Sequence, residues 1–140
     1  MEEEISCVLI ELMVRKKEHL ERRRTLRKLR DESDPFQYSE ELFFKNFRFP
    51  KALCRILIGD LEHFDTQKSK ISFTIRLLST LNFLANGSYQ QCHGNFYSTA
   101  MSQPMISRTI HEICALIVRI KGNVVRFPET DSEFQDLKLG

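Results

Sequence analysis

Apolar residues recur along this chain at the three- and four-residue spacing of an α-helix, in stretches separated by polar breaks. Ile5, Val8, Leu9 and Leu12 begin the first stretch. The basic run that follows, RKKEHLERRRTLRKLR, continues it without Gly or Pro until Asp, Ser and Pro collect at residues 31–35. A second helix is predicted over SEELFFKNF, with Ser39 placed to accept from the free N–H groups and Glu40 and Glu41 favourable in the first turn. Pro50 suits the first turn of a third helix, PKALCRILIGDLEHF, because its missing N–H would be unpaired there anyway. Leu53, Ile56, Leu57 and Leu61 form its expected stripe, extended by Phe64.

A polar linker, Asp65 to Lys70, leads to a fourth helix over residues 72–86 with Ile75, Leu78, Leu81 and Leu84–Ala85 on one face. Gly87 follows where a left-handed C-cap is expected. The segment SYQQCHGNFYSTAM is compatible with one or two helical turns around Gly94. Ser102 then caps a long helix with Pro104 in its first turn. Its expected core face is Ile106, Ile110, Ile113, Cys114, Ile117 and Ile120, opposite Arg108, His111, Glu112, Ala115 and Arg119. Lys121-Gly122-Asn123 ends it, VVRF reads as a short extended piece, and Thr130 with Glu133 predicts a capping box for a brief last helix.

The predicted fold is all-α: a small helical bundle with a helix-turn-helix-like pair, preceded by a basic helical arm. The arm covers residues 1–34, the helical domain 35–128 and a short tail 129–140. Five Gly and four Pro are too few for a turn-rich β-sandwich or barrel. No apolar run approaches the roughly 20 residues of a membrane span, and the acidic start Met1-Glu-Glu-Glu4 is unlike a secretory signal. A soluble intracellular chain without a membrane partner is expected.

Charge divides the chain unevenly. The formal net charge is +2, but residues 1–30 hold nine Lys or Arg against six acidic residues, and residues 31–140 hold twelve against thirteen. Nine of the sixteen positions from Arg15 to Arg30 are basic. Such a stretch, with Arg22, Arg23, Arg24, Arg27 and Lys28 at its densest part, attracts a polyanion. Nucleic acid is the first candidate and an acidic membrane surface the second. A nuclear import signal and a merely solvated helix face are the other readings.

Catalytic chemistry is not apparent. Cys7, Cys54, Cys92 and Cys114 form no CxxC pair and read as reduced, mostly buried thiols. Cys92-His93 with His111 and Cys114 would supply four zinc ligands, but adjacent ligands suit one tetrahedral ion poorly. Asp60, Glu62 and Asp65 make a loose acidic cluster that reads as solvated helix-end charge rather than a metal site. The positions that do suggest a function open the long helix. A helix N-terminus carrying Ser102, Gln103, Ser107 and Arg108, with His111 a turn further along, could enter a major groove. Gln would pair with adenine, Arg with guanine, and Ser with phosphate or either base type. The plainer reading is a well-capped helix with a surface arginine.

Five segments in order, LRKLRDESDPF, FFKNFRFPKALCRIL, ISFTIRLLSTLNFLANGSYQ, SQPMISRTIHEIC and VVRFP, resemble the N-terminal region of PIF/Harbinger transposases and of the domesticated Harbinger transposase-derived nucleases. The match runs over residues 25–128, about three-quarters of the chain. The resemblance implies a helix-turn-helix-type DNA-binding region, nuclear localisation, duplex DNA as ligand and a Myb-like protein as a second partner. In such proteins a downstream RNase H-like domain cuts DNA with Mg²⁺ or Mn²⁺ held by an Asp-Asp-Glu triad. None of the residues here matches that triad, so the expectation is a DNA-binding portion without cofactor or active site of its own.

Overall fold

Helix α4 (Phe73–Asn86) has the apolar density of a helix with neighbours on several sides, and every residue from Phe73 to Thr80 except Thr74 is buried. The computed structural model describes residues 1–87, 100–124 and 128–139. Among these it contains six α-helices and no strand, so the fold is all-α, as the periodicity predicts. The other five helices are α1 (Glu2–Glu32), α2 (Glu40–Phe47), α3 (Lys51–Leu61), α5 (Gln103–Lys121) and α6 (Asp131–Leu139).

Consecutive leucines on α4 point into different cores. Leu77 packs with Leu61, Phe73, Ile113 and Leu116 between α3, α4 and α5. Leu78, 100° further round the helix, packs with Phe43, Phe47 and Cys54 between α2, α3 and α4. Leu81 touches both clusters. In the second core the Phe43 and Phe47 rings lie 4.6 Å apart, and Phe36 stacks on Phe43 at 5.2 Å. The 3-10 turn Pro35–Gln37, capped by the Asp34 carboxylate accepting from the Phe36 amide, delivers that ring.

Most helix boundaries follow the capping chemistry. Ser39 Oγ accepts from the Leu42 amide and Ser72 Oγ from the Ile75 amide, each satisfying one orphan donor of a first turn. Gly87 takes the left-handed C-cap of α4 at φ 69°. Arg48 takes the same conformation at the end of α2, at φ 55°, where a side chain is disfavoured. At α6 the predicted capping box forms: the Glu133 amide donates to Thr130 Oγ1, and the Glu133 carboxylate accepts from the Thr130 and Glu129 amides at 3.1 and 2.9 Å.

The predicted faces need correction in three helices. On α3 the stripe is rotated: Cys54 and Leu61 are buried and Leu57 and Ile58 partly so, whereas Leu53, Ile56 and Phe64 are exposed. Its apolar arc is wider than the surface it covers, and the positions of α2 and α4 select which part turns inward. On α4 Leu84 is exposed, because the neighbouring helices cover mainly the first two turns. On α5 the buried line is Ile106, Thr109, Ile113 and Leu116; Ile110, Cys114, Ile117 and Ile120 flank it, and Glu112 is half-buried rather than solvated. Val124 closes a 3-10 turn, Gly122–Val124, instead of starting an extended piece. The rest of VVRF lies outside the described residues.

Two expectations follow. Burial pushes the Cys54 thiol up to about 11, while Cys7 sits exposed on α1. In native protein at pH 8, iodoacetamide should alkylate Cys7 and leave Cys54 untouched until denaturant is added, as peptide mass spectrometry will show. The two amide bonds and the Thr130 hydroxyl hold the Glu133 carboxyl below the usual carboxylate range. A lowered native pKa gives stabilisation that is present above the ordinary carboxylate pKa and lost as pH falls through the native value. The α6 amide resonances should therefore lose helical shifts in acid, and Glu133→Gln should remove that transition without altering α4.

Candidate nucleic-acid interface

α5 carries the candidate base-reading residues, and a buried arginine fixes it against α4. The Arg76 side chain is 3% exposed. Its guanidinium pairs with Asp65, lies 3.7 Å from the Glu112 carboxylate on α5, and donates from Nε to the Ile71 carbonyl at 3.3 Å. A guanidinium this deep requires such partners, because an unpaired buried charge is costly. Asp65 and Glu112 are thereby structural residues. Asp60, at the end of α3, pairs with Lys121 at the end of α5. The acidic cluster read as solvated is thus two-thirds committed to ion pairs, and only Glu62 remains an exposed acid without a cation. Those pairings do not suit a metal centre. Among the described residues no group of three His, Cys, Asp or Glu side chains could hold an ion.

The N-terminus of α5 is open. Ser102 occupies the cap position but its side chain makes no capping bond, and Pro104 stands in the first turn. Among the described residues no side chain caps this first turn, which lies at the positive end of the helix dipole. Gln103, Ser107 and His111 follow one i, i+4 row along the helix, and Arg108 is one i, i+3 step from His111. Gln103, Arg108 and His111 are exposed, and Ser102 and Ser107 are half-buried. His111 Nδ1 lies 2.9 Å from the Ser107 carbonyl. A carbonyl can only accept, so this contact is a hydrogen bond in the tautomer that carries the proton on Nδ1. Among the described residues nothing pairs with the Arg108 guanidinium. Ala115 on the adjoining surface is exposed and small.

The basic arm forms one continuous helix, α1, about 45 Å long at 1.5 Å per residue. Residues 1–22 are exposed, Arg23 and Leu26 are half-buried, and Arg30 is buried at 6%. Arg22, Arg24, Arg27 and Lys28 are exposed, and Lys28 has only a loose 3.9 Å pair with Glu32. Arg30 is the residue that sequence reasoning missed. Its Nη1 donates to the buried Ala100 carbonyl at 3.0 Å, and Nε donates to Asp31 at 2.8 Å. Ala100 stands two residues before Ser102, so this bond ties the last turn of the arm to the segment that enters α5. Nothing in composition separates Arg30 from the other arginines of the run. Its spacing from Arg23 and Leu26, at seven and four residues, is the one available signal of a shared inward face.

The proposed short helix before α5, with Cys92 and His93, lies outside the described residues, except that Ala100 and Met101 have no helical structure. No family model, curated protein or solved structure matches the chain. Among the described residues no helix is long and apolar enough to cross a membrane.

The environments of three arginines predict three different stability effects, measurable by urea unfolding. Arg76→Ala should cost about 3 kcal/mol or more by leaving Asp65 and Glu112 without their shared cation. Arg30→Ala should cost about 1–3 kcal/mol by orphaning the buried Ala100 carbonyl. Arg108→Ala should stay within about 0.5 kcal/mol, the range of exposed sites. A loss at Arg108 comparable to that at Arg76 would mean that Arg108 is structural and not free for a ligand.

Proposed function

We propose that this chain is the DNA-binding N-terminal region of a Harbinger transposase-derived nuclease-like protein, acting without chemistry of its own. The observation that carries the reading is the Arg30–Ala100 bond. It ties the last turn of α1 to the segment that enters α5, which supports a reading in which the arm cations and the first turns of α5 act on one ligand. In this reading Arg22, Arg23, Arg24, Arg27 and Lys28 neutralise backbone phosphates and set register. Gln103, Ser107, Arg108 and His111 meet base edges, while Ser102 and the open first turn of α5 take a phosphate. The same basic run serves nuclear import. No step is assigned to Mg²⁺ or Mn²⁺, because no residue here matches the Asp-Asp-Glu triad of the proteins it resembles.

A second reading has its own support. The first turns of α1 expose an apolar surface, from Ile5 to Val14, that duplex DNA would not cover. A catalytically silent helical module that binds protein, such as the Myb-like partner implied by the resemblance, would use that surface.

Fluorescence anisotropy with duplex DNA separates the two. DNA binding predicts log K falling against log salt with a slope of about −0.9 per phosphate contact. Replacing the five arm cations by Gln should flatten that slope on every sequence. Arg108→Ala should instead cost about 1–3 kcal/mol on a selected site and little on random DNA. No affinity at low salt would sink the DNA reading and leave the protein-binding one.

A further inference from the structure

The first half of α1 is helical and apolar yet uncovered. Ile5, Val8, Leu9, Ile10, Leu12 and Val14 are each 50–58% exposed, and Met13 is 71% exposed. Exposed apolar surface of this extent on one element marks an interaction site. Ile5, Leu9 and Leu12 step at four and three residues, and the same stepping continues through Lys16, His19, Arg23 and Leu26 to Arg30. At its far end the stripe is covered by the helical body; at its near end none of the described residues covers it.

Charge identifies the occupant. The block Ile5–Val14, apolar apart from Ser6, Cys7 and Glu11, has Glu2, Glu3 and Glu4 on one side and Arg15, Lys16 and Lys17 on the other, Arg15 also pairing with Glu11 at 2.7 Å. We infer that the block pairs antiparallel with the same block of a second copy of this chain. Overlaying two blocks about their midpoint sets Glu2, Glu3 and Glu4 of one copy level with Lys17, Lys16 and Arg15 of the other, twice by symmetry. A parallel pair would instead stack acid on acid and one basic run on another, which like-charge repulsion opposes. The antiparallel overlap covers residues 2–17 on each helix, roughly 24 Å at 1.5 Å per residue. It stops short of Arg23, where contact with the body begins, so both bodies stay clear and lie at opposite ends. The dense cations from Arg22 to Lys28 remain outside the overlap. The inference does not depend on DNA binding.

The test is sedimentation equilibrium of the full chain in reducing buffer at low salt, without DNA. The expected result is a dimer of twice 16.5 kDa. Leu9→Glu with Leu12→Glu should give a monomer whose body melts at the parent temperature, since neither residue touches the body. Replacing Glu2, Glu3 and Glu4 together by Lys should raise the dimer Kd at least tenfold. Adding Arg15→Glu, Lys16→Glu and Lys17→Glu should bring it back to within about threefold of the parent. That rescue is specific to antiparallel pairing. A chain that stays monomeric at 100 µM overturns the proposal, as does a dimer whose Kd ignores the first charge swap. A monomer that instead binds vesicles of phosphatidylcholine and phosphatidylserine through the Leu9 and Leu12 face overturns it in favour of a membrane surface.

Discussion

The body of this protein depends on burying α4 against two cores at once. Leu77 and Leu78 are adjacent in sequence and both wholly buried, one facing α5 and the other facing α2 and α3. That arrangement leaves little of the first two turns for solvent, which is how Arg76 comes to be enclosed. Its charge then dictates the surroundings: Asp65 must come from the preceding loop, and Glu112 must come from α5. The long helix that carries the candidate base-reading residues is thus oriented by an ion network on its inner side. Arg108 and His111 are exposed, opposite the buried line of Ile106, Thr109, Ile113 and Leu116.

The arm obeys a different constraint. Over most of α1 tertiary packing contributes nothing, and helicity rests on local factors: good helix formers, acids at the N-terminus, and side-chain pairs such as Glu11 with Arg15 at 2.7 Å. Such a helix gains order from whatever it docks on. Its two halves differ in kind, one apolar with an acidic tip and one cationic, so they call for different partners. A single buried guanidinium, Arg30, sets the direction in which the arm leaves the body. Among the described residues the last two turns of the arm meet the body at Arg23, Leu26 and the buried Arg30, whose guanidinium supplies the polar tie.

How much of this was legible in the sequence varied with the kind of physics involved. Helix ends were, because capping is local: Ser39, Gly87 and the Thr130–Glu133 box each act within a few residues, although Ser102, read as a cap, makes no capping bond. Faces were legible only where the apolar arc was narrow. On α3 it was broad, so Leu53 and Ile56 looked as inward as Cys54 and Leu61. On α5 the isoleucine periodicity found the right side of the helix but passed over Thr109 and Leu116. The candidate site was legible as a set of residue types, Gln103, Ser107, Arg108 and His111, and as a basic run. The tie between the arm and the segment entering α5 was not legible, because the Arg30–Ala100 bond spans seventy residues.

The sequence alone determined that the chain is helical, where its helices start and stop, and that its charge is gathered in the arm. These follow from propensity, capping and composition, which act over a turn or two. Tertiary structure alone decided which arginines are spent on the fold. Arg30, Arg76 and Arg108 are the same side chain in sequence; one bridges to a carbonyl seventy residues away, one is enclosed between two carboxylates, and one is left in solvent. The reason is physical. The cost of burying a guanidinium is met by partners distant in the chain, and only the packing of α4 against α5, and of the arm against the segment before α5, brings those partners together.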